Sequence, residues 1–127
     1  MPSIVEIHQL LTSLSKQDYC YLTTKGRVSG RPHEIEIWFG LSGETIYLLS
    51  GGGTDSDWVK NLISESRVTV RIAKHHFTGT ARLVSDNKED AMARRLLATK
   101  YYRWREGRPL NDWASTALPI AIKLSSK

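Results

Sequence analysis

Residues 19–39 read Tyr-Cys-Tyr-Leu-Thr-Thr-Lys-Gly-Arg-Val-Ser-Gly-Arg-Pro-His-Glu-Ile-Glu-Ile-Trp-Phe, and this stretch decides the fold class. It begins with aromatic and β-branched residues over Tyr19–Thr24, which are typical of a strand, and it reaches a turn at Lys25-Gly26. After the loop, residues 33–39 alternate apolar and polar side chains, as in a strand with one buried face. The stretch therefore predicts two strands joined by a basic loop.

Further strands are predicted on the C-terminal side of this stretch. Alternating or β-branched content marks four of them, at residues 45–50, 67–73, 77–84 and 118–124. The turn region His75-His76 separates the second and third of these, which are typical of a hairpin. The sequence thus predicts six strands.

Three stretches have the apolar spacing of helices. Ser3 is suited to cap a helix over residues 4–14, Thr54 and Asp57 have the spacing of a capping box, and Asn87 is suited to cap a long helix. The long helix is expected to be stopped by Gly107, Arg108 and Pro109. The second helix is expected to bury Trp58, Val59, Leu62 and Ile63, and the third Ala93, Leu97, Tyr101 and Trp104. Six strands and about three helices in unequal alternation predict an α+β fold that is mainly β.

Length and composition limit the class of protein. A chain of 127 residues with 40% hydrophobic and 24% charged residues fits one globular domain over 1–127. The longest apolar runs, such as Ile46–Leu49, are far below the roughly 20 residues of a membrane-spanning helix. Glu6 and His8 interrupt the apolar segment that a signal peptide needs. We therefore expect a cytoplasmic protein without a membrane span, with Cys20 as a buried, inert thiol.

The loop over residues 23–32 is the first candidate binding segment. It combines three cations, three hydroxyls and two glycines. Arg27 or Arg31 could each form paired hydrogen bonds to phosphate oxygens, Ser29 could donate another, and the glycines allow the backbone to approach closely. The alternative is a solvated basic hairpin loop, since such turns are common on surfaces.

The second candidate segment runs from Ser50 through Gly51, Gly52 and Gly53 into a predicted helix. A helix N-terminus favours an anion, but acidic residues near the helix start compete for the same N–H groups. The Lys-Ser/Thr pair of a P-loop and the G-x-G-x-x-G pattern of a dinucleotide site do not occur in the sequence. The glycines could instead let a flat ring lie against bare backbone.

No residue set in the sequence is sufficient for catalysis. His75 and His76 are neighbours on a predicted strand and point to opposite faces, so we predict no metal site. Patterns for metal hydrolysis or serine-type acyl transfer do not occur in the sequence either. An enzyme with this sequence would therefore depend on a cofactor.

The net charge of +5 is concentrated in one segment. Residues 94–108 contain six cations against Glu106 alone, interleaved with Tyr101, Tyr102 and Trp104. Such a segment could bind nucleic acid or another anionic surface. The alternative is a helix with a buried aromatic face and solvated charges, which makes nucleic-acid binding the less favoured interpretation.

Three motifs together resemble those of a known family. Leu-Thr-Thr-Lys-Gly-Arg-Val-Ser-Gly-Arg-Pro at 22–32, Tyr-Leu-Leu-Ser-Gly-Gly-Gly at 47–53 and Ser-Asp-Trp-Val-Lys-Asn-Leu at 56–62 are similar to those of the deazaflavin-dependent nitroreductase and quinone reductase family. This family belongs to the flavin-binding split-barrel superfamily, which includes pyridoxamine-phosphate oxidase. The resemblance covers about residues 19–84 in motif order and spacing.

The resemblance implies a fold, a cofactor and a site. The fold would be a six-stranded antiparallel split β-barrel with about three flanking helices, usually a homodimer, and the cofactor coenzyme F-420 or FMN. Within the loop the cofactor-binding residues would be Lys25, Arg27, Ser29, Gly30, Arg31 and Pro32, with Arg27, Ser29, Gly30 and Arg31 on the phosphate. Elsewhere they would be Ser50, Gly51 and Gly52 beside the ring and Ser56, Trp58 and Asn61 in the pocket wall.

The activity implied by the resemblance is hydride transfer from the reduced cofactor to a small electron-poor acceptor, such as a quinone or a nitroaromatic. Tyr101, Tyr102 and Ser50 are candidate proton donors, and no catalytic residue is assigned. A glutamate tail on F-420 would need further cations, which residues 94–108 could supply. Two alternatives stay open: a non-catalytic module that binds nucleic acid or another polyanion, and a flavin carrier or sensor without turnover.

Overall fold

The structure is a computed structural model that describes residues 4–125. The helices, in chain order, are α1 (Ile4–Leu14), α2 (Asp57–Ser64), α3 (Asn87–Tyr102) and α4 (Asp112–Thr116), with a one-turn 3-10 helix at Gly53–Asp55 before α2. The strands are β1 (Cys20–Lys25), β2 (Pro32–Ile37), β3 (Gly40–Ser42), β4 (Thr45–Ser50), β5 (Arg67–Ile72), β6 (His75–Leu83) and β7 (Leu118–Leu124). The fold is mainly β, as predicted, with seven strands rather than six within residues 4–125.

The strands form one antiparallel sheet that curls on itself. Their order is β2-β1-β5-β6-β7-β4-β3, so β2 and β3 are the two edges. Ile37 ends β2 and Gly40 begins β3, and three chain steps span at most about 11 Å. The two edges therefore lie close together, and the sheet is a half-barrel whose opening is bridged by the chain itself.

The additional strand arises because residues 33–39 do not form one continuous strand. The chain leaves β2 at Trp38-Phe39, which we call the crossover, and begins β3 at the opposite edge. The N–H of Phe39 donates to the Tyr101 hydroxyl at 3.0 Å, and the Phe39 carbonyl accepts from the Lys100 ammonium at 3.0 Å. Because side chains of α3 satisfy both backbone groups, Phe39 can be buried outside the strand ladder.

Two apolar clusters hold the sheet and helices together. The first fills the inside of the curl, where α1 and α2 pack against the strands through Leu11, Val59 and Leu62. The second lies between α3 and the outer face of β4 and β7, and includes Leu49, Leu97 and Ala121. The outer face of the remaining strands is lined by polar side chains that alternate with buried ones.

The predicted hairpin is confirmed, with a shifted turn. β5 pairs with β6 in antiparallel register from Arg67 opposite Thr80 to Ile72 opposite His75. The two histidines therefore open β6, and the turn lies before them at Ala73, whose φ is +53°. Cys20 is buried as predicted, and burial raises the pKa of its thiol to about 12.

Two predicted helix starts differ from the structure. α2 begins at Asp57 after Ser56, not at a Thr54 capping box, and Ile63 is 56% exposed rather than buried. α3 is capped by Asp86, whose carboxylate accepts the Glu89 N–H at 2.9 Å, and not by Asn87. Sequence spacing alone did not separate the neighbouring capping candidates. The predicted cap Ser3 lies outside the described residues.

The end of α3 also differs from the prediction. The helix ends at Tyr102, where Arg103 adopts a left-handed conformation with φ +54°, well before the predicted stop at Gly107. Trp104 therefore lies beyond the helix, and its indole N–H donates to the Arg108 carbonyl at 2.8 Å. α4 was not predicted; Asn111 caps it by accepting the Ala114 N–H at 2.9 Å.

α3 is fixed to the sheet by a partly exposed polar cluster of Arg82, Glu89 and Tyr47. The Glu89 carboxylate accepts two hydrogen bonds from Arg82, both at 2.7 Å, and one from the Tyr47 hydroxyl at 2.6 Å. The Arg82 bonds, and then the Tyr47 bond, lower the pKa of Glu89 to about 2. Burial, followed by the bond to Glu89, raises the pKa of Tyr47 to about 12.

None of the helices within residues 4–125 is both long enough and apolar enough to span a bilayer.

Candidate cofactor site

The loop between β1 and β2 has a compact backbone conformation. Gly26 donates its N–H to the Arg31 carbonyl at 2.8 Å, and Gly30, with φ +73°, donates to the Gly26 carbonyl at 2.8 Å. The Ser29 hydroxyl accepts the Arg31 N–H at 3.1 Å and lies 3.3 Å from Nε2 of His33. A Cβ at Gly26 would stand 2.5 Å from Nε2 of His33 and 2.7 Å from the Ser29 hydroxyl, so a side chain there would displace these two groups.

Asn61 of α2 holds this loop in place. Its side-chain oxygen accepts the Arg27 backbone N–H at 3.2 Å and the Arg27 guanidinium at 2.8 Å. Its amide nitrogen donates to the Thr24 hydroxyl at 3.2 Å, and the side chain is 3% exposed. The Arg27 guanidinium also pairs with the Asp57 carboxylate at 3.1 Å. The loop and α2 therefore form one unit.

A cavity of about 450 Å³, which we call the loop pocket, lies between this loop, α2 and β2. Four residues from the sequence prediction line it together: Arg27, Ser29, Trp58 and Asn61. Further lining residues that were not predicted include His33, Glu34 and Asp57. His33 could have been predicted, because it follows directly after Gly-Arg-Pro of the loop. The pocket offers a guanidinium, a hydroxyl and an imidazole to an anion, and the carboxylates of Glu34 and Asp57 oppose them.

The remaining predicted loop residues are placed differently. Lys25, Gly30 and Pro32 line a separate cavity of about 240 Å³ on the outer face of the sheet, next to Thr23 and Thr69. The Arg31 side chain is exposed. The structure therefore brings only part of the predicted phosphate set into the loop pocket.

The glycine segment after β4 is fixed by two serines. The Ser50 hydroxyl donates to the Gly53 carbonyl at 3.0 Å and shares a hydrogen bond with the Ser56 hydroxyl at 3.0 Å. A Cβ at Gly52 would stand 2.5 Å from the Ser56 hydroxyl, which explains glycine there. Ser50 is 2% exposed, so its hydroxyl shapes the turn and is not presented to a substrate. A Cβ at Gly51 would lie 3.8 Å from the ring of Trp113.

A second cavity, of about 380 Å³, lies at the far end of β2, and we call it the aromatic pocket. Its lining consists of Tyr19, Glu36, Ile37, Trp38, Leu49, Tyr102 and Trp113. Trp38 stacks on Tyr101, with ring centroids 4.3 Å apart, and meets Trp113 edge to face at 5.5 Å. Trp38 was predicted only as part of a strand, and neither Trp38 nor Trp113 was assigned to a site from the sequence.

β2 joins the two pockets. Its first half, from His33 to Ile35, lines the loop pocket, and its second half, with Glu36 and Ile37, lines the aromatic pocket. At about 3.3 Å per residue, the five steps from His33 to Trp38 span roughly 17 Å. A pocket with an arginine at one end of β2 and an aromatic pocket at the other fit a cofactor that carries a phosphate on a chain attached to a flat ring.

The three candidate proton donors differ in availability. The Tyr101 hydroxyl accepts the Phe39 N–H and lies 2.7 Å from the Asp18 carbonyl, and burial raises its pKa to about 12. The Ser50 hydroxyl is occupied in the turn. Tyr102 is 50% exposed and lines the aromatic pocket, and within residues 4–125 its hydroxyl has no hydrogen-bond partner. Tyr102 is therefore the available donor of the three.

The basic segment at 94–108 is partly used for internal contacts. Arg94 donates to the Asp90 carboxylate at 2.6 Å and to the Ala114 carbonyl at 2.9 Å. Lys100 is held at the crossover, and its burial lowers the pKa of the ammonium to about 8. The segment is therefore not a uniformly solvated cationic face.

The sequence comparison decides the family. Residues 6–124 match the family described as F420H(2)-dependent quinone reductase. The chain belongs to that family. Membership confirms the resemblance seen in the sequence motifs and the expected cofactor class, coenzyme F-420 or a flavin. The F420H(2)-dependent quinone reductase family is a family of oxidoreductases. No curated protein matches the chain.

Solved structures support the fold of this quinone reductase family member. An F420-H2 dependent reductase is 16% identical, with a TM-score of 0.64 over 83% of this chain and 93% of that chain. An FAD-binding protein of Mesorhizobium loti is 16% identical, with a TM-score of 0.65 over 92% and 88%. A haem storage protein of Vibrio cholerae is 15% identical, with a TM-score of 0.67 over 94% and 89%. These three proteins share the fold and differ in the ligands that their names state.

Proposed function

We propose that this protein is a reductase that binds coenzyme F-420 along β2 and reduces a small electron-poor acceptor, such as a quinone or a nitroaromatic. The observation that carries the proposal is that β2 connects the loop pocket, which presents the Arg27 guanidinium, to the aromatic pocket. Family membership supports the choice of F-420 over FMN, which stays the second candidate cofactor.

The loop pocket is the proposed phosphate end. Asn61 fixes the Arg27 guanidinium at the pocket wall, so the cation needs little ordering when an anion arrives. The Ser29 hydroxyl and the His33 ring stand beside each other as further donors. We assign the phosphate to these three side chains. Lys25, Gly30 and Pro32 line the cavity on the outer face and would act through the shape of the loop.

The aromatic pocket and the glycine segment are the proposed ring end. Leu49 precedes the Ser50-Gly51-Gly52 turn and lines the pocket, and the turn leaves bare backbone next to Trp113. When bound, the reduced coenzyme supplies a hydride, and one hydride plus one proton convert a quinone to a hydroquinone. The protein orients the acceptor among Trp38, Tyr102 and Trp113 and excludes water there, and the Tyr102 hydroxyl is the proposed proton source.

Titration of the purified apoprotein with F-420, and separately with FMN, is the direct test of binding. We expect quenching of the cofactor fluorescence with tighter binding of F-420, and a clear loss of affinity in Arg27→Ala. Lys16→Ala, which removes an exposed cation after α1, is the control and should bind as the wild type does. Equal affinity in Arg27→Ala would move the phosphate elsewhere, and no binding of either cofactor would remove the proposal.

Turnover separates a reductase from a carrier or sensor. Reduced F-420 mixed with the protein and either a benzoquinone or a nitroaromatic should be oxidised only when an acceptor is present. Binding without oxidation would favour the carrier. Binding of oligonucleotides with a steep salt dependence would instead favour the polyanion module. We also propose a homodimer, as the resemblance implies, which light scattering of the eluted protein tests.

A further inference from the structure

The outer face of the sheet carries a row of hydroxyls across three neighbouring strands. Thr23 of β1 is opposite Thr69 of β5, which is opposite Thr78 of β6. Side chains on this face alternate with buried residues of the core, so they point away from the inside of the curl. The face is polar at its centre.

A row of cations runs parallel to the hydroxyls. Arg67 of β5 is opposite Thr80 of β6, which is opposite Lys123 of β7. Lys25 lies two residues beyond Thr23 on β1, next to Arg67. We call Lys25, Arg67 and Lys123 the cation row. With strands about 4.8 Å apart, Arg67 and Lys123 are roughly 10 Å apart, and Lys25 and Lys123 roughly 14 Å.

The cation row has no acidic partner. Within residues 4–125, none of its three side chains forms an ion pair or a hydrogen bond, whereas Arg27, Arg82 and Arg94 each pair with a carboxylate. Two cavities of about 240 and 350 Å³ lie along the row and share Arg67 and Thr78. No Asp or Glu lines either cavity. Like charges on neighbouring strands repel each other, so an anion bound here would be stabilised by all of them.

We propose that the cation row binds a chain of two or three anionic groups, carboxylates or phosphates, that lies across the strands. A single phosphate cannot contact cations spread over roughly 14 Å, whereas an extended oligoanion can meet each in turn. Threonine hydroxyls beside the row, those of Thr78 and Thr80, would donate further hydrogen bonds.

Two sources could supply this chemistry. The cavity at Lys25 is bounded by Gly30 and Pro32, which belong to the same loop as the Arg27 of the loop pocket. An acidic tail on the proposed cofactor could therefore pass over the loop and reach the cation row. A separate polyanion could bind there equally well. The site itself does not depend on the proposed function, because its residues lie outside both cofactor pockets.

Tripolyphosphate, a short oligoanion, tests the cation row without any cofactor being present. We expect calorimetric binding to the wild-type protein at low salt, about fivefold weaker in Arg67→Ala and in Lys123→Ala, and about 20-fold weaker in the double variant. Orthophosphate should bind much more weakly than tripolyphosphate. Lys16→Ala, at an exposed position outside the row and outside residues 94–108, is the control for lost charge, and thermal unfolding checks that the variants are folded. Undiminished tripolyphosphate binding by the folded double variant, or none by the wild type, would overturn the proposal.

A second arm distinguishes the sources. If the double variant binds F-420 with its glutamate tail more weakly but binds FMN normally, the source is the cofactor tail. If the double variant no longer binds tripolyphosphate but binds both cofactors normally, the site serves a separate polyanion. If the substitutions change the oligomeric mass and leave tripolyphosphate affinity unchanged, the row belongs to a subunit interface and the proposal fails.

Discussion

The side-chain oxygen of Asn61 accepts hydrogen bonds from both the backbone N–H and the guanidinium of Arg27, at 3.2 and 2.8 Å. One buried amide therefore sets the shape of the loop and the direction of its cation together. A phosphate ligand of this protein would meet an arginine whose position is determined by α2. Stability and cofactor binding are thus coupled at Asn61.

Asn61→Ala should reduce both the stability of the fold and the affinity for the cofactor. The substitution leaves the Arg27 N–H and the Thr24 hydroxyl without their partner, at an expected cost of about 2 kcal/mol in the free energy of unfolding. Cofactor affinity should fall about tenfold because Arg27 becomes mobile. Urea unfolding and fluorescence titration measure the two effects. Asn87→Ala, at an exposed position in α3, is the control, and equal stability of the two variants would contradict this account.

Asp57→Asn should strengthen the binding of a phosphate-bearing cofactor. The Asp57 carboxylate is exposed and pairs with Arg27 at 3.1 Å, so it competes with an incoming phosphate for the same guanidinium. Removal of its charge should raise affinity about fivefold, in the range of an exposed ion pair. Titration with F-420 or FMN measures the change. Asp55→Asn removes a charge from the preceding turn and should have a smaller effect; an unchanged affinity in Asp57→Asn would show that Arg27 does not meet the phosphate.

Glu89→Gln should remove stability that is present at neutral pH and lost at acidic pH. The pKa of Glu89 is lowered from its ordinary value of 4.5 to about 2 in the folded protein, so its stabilisation is fully present above pH 4.5 and is lost as the pH falls towards 2. We expect the variant to lose about 1 to 2 kcal/mol at pH 7, after allowance for solvent screening, and much less at pH 2.5. Denaturant unfolding at several pH values tests this, with the exposed Glu106→Gln as the control. A constant difference across this pH range would disprove the role of the Glu89 charge.

Lys100→Met should change stability at alkaline pH. Burial lowers the pKa of Lys100 from 10.5 to about 8, so between these values the unfolded chain binds more protons and the wild-type protein gains stability as the pH rises. The variant lacks this gain, which we expect to be about 1 to 2 kcal/mol for a half-buried group. Cys20 and Tyr101, with pKa values raised to about 12, act in the opposite direction in both proteins. The difference between the two unfolding curves from pH 8 to 10 therefore isolates Lys100; parallel curves would contradict it.

Tyr102→Phe should lower turnover without weakening the binding of the cofactor. The hydroxyl lines the aromatic pocket and has no partner within residues 4–125, so its removal leaves the packing intact and removes a proton donor. A loss of 10- to 100-fold in kcat is expected for a general acid, with unchanged cofactor affinity. Tyr19→Phe, in the same pocket, is the matched control. If both variants keep full turnover, water supplies the proton.

The sequence predicted the elements whose partners lie nearby in the chain. The β5–β6 hairpin follows from the alternation of Val68, Val70 and Ile72, and the end of β1 follows from the turn residues Lys25-Gly26. Helix caps were misplaced by one or two residues, because Asp86 and Ser56 stand beside equally good candidates. Local pattern does not rank adjacent capping residues.

The features that escaped sequence reasoning depend on distant contacts. Phe39 continues the alternation of β2 and gives no local sign of a strand end, since its partners are 61 and 62 residues away in α3. The motif resemblance placed Asn61 in the pocket wall, while its bonds to Arg27 and Thr24 became visible only in the fold. Trp113 likewise reaches the aromatic pocket through the unpredicted helix α4.

The crossover also constrains the order in which the chain can fold during synthesis. β1 and β2 are contiguous and can pair as soon as both have left the ribosome. The backbone of Phe39 acquires its partners only when Lys100 and Tyr101 have been made, and Tyr101 then also reaches the Asp18 carbonyl, 83 residues earlier. β7, which pairs with both β6 and β4, is made later still. A chain truncated before residue 100 would therefore leave β4 and β6 without their shared partner strand, and it should be prone to pair with other strands.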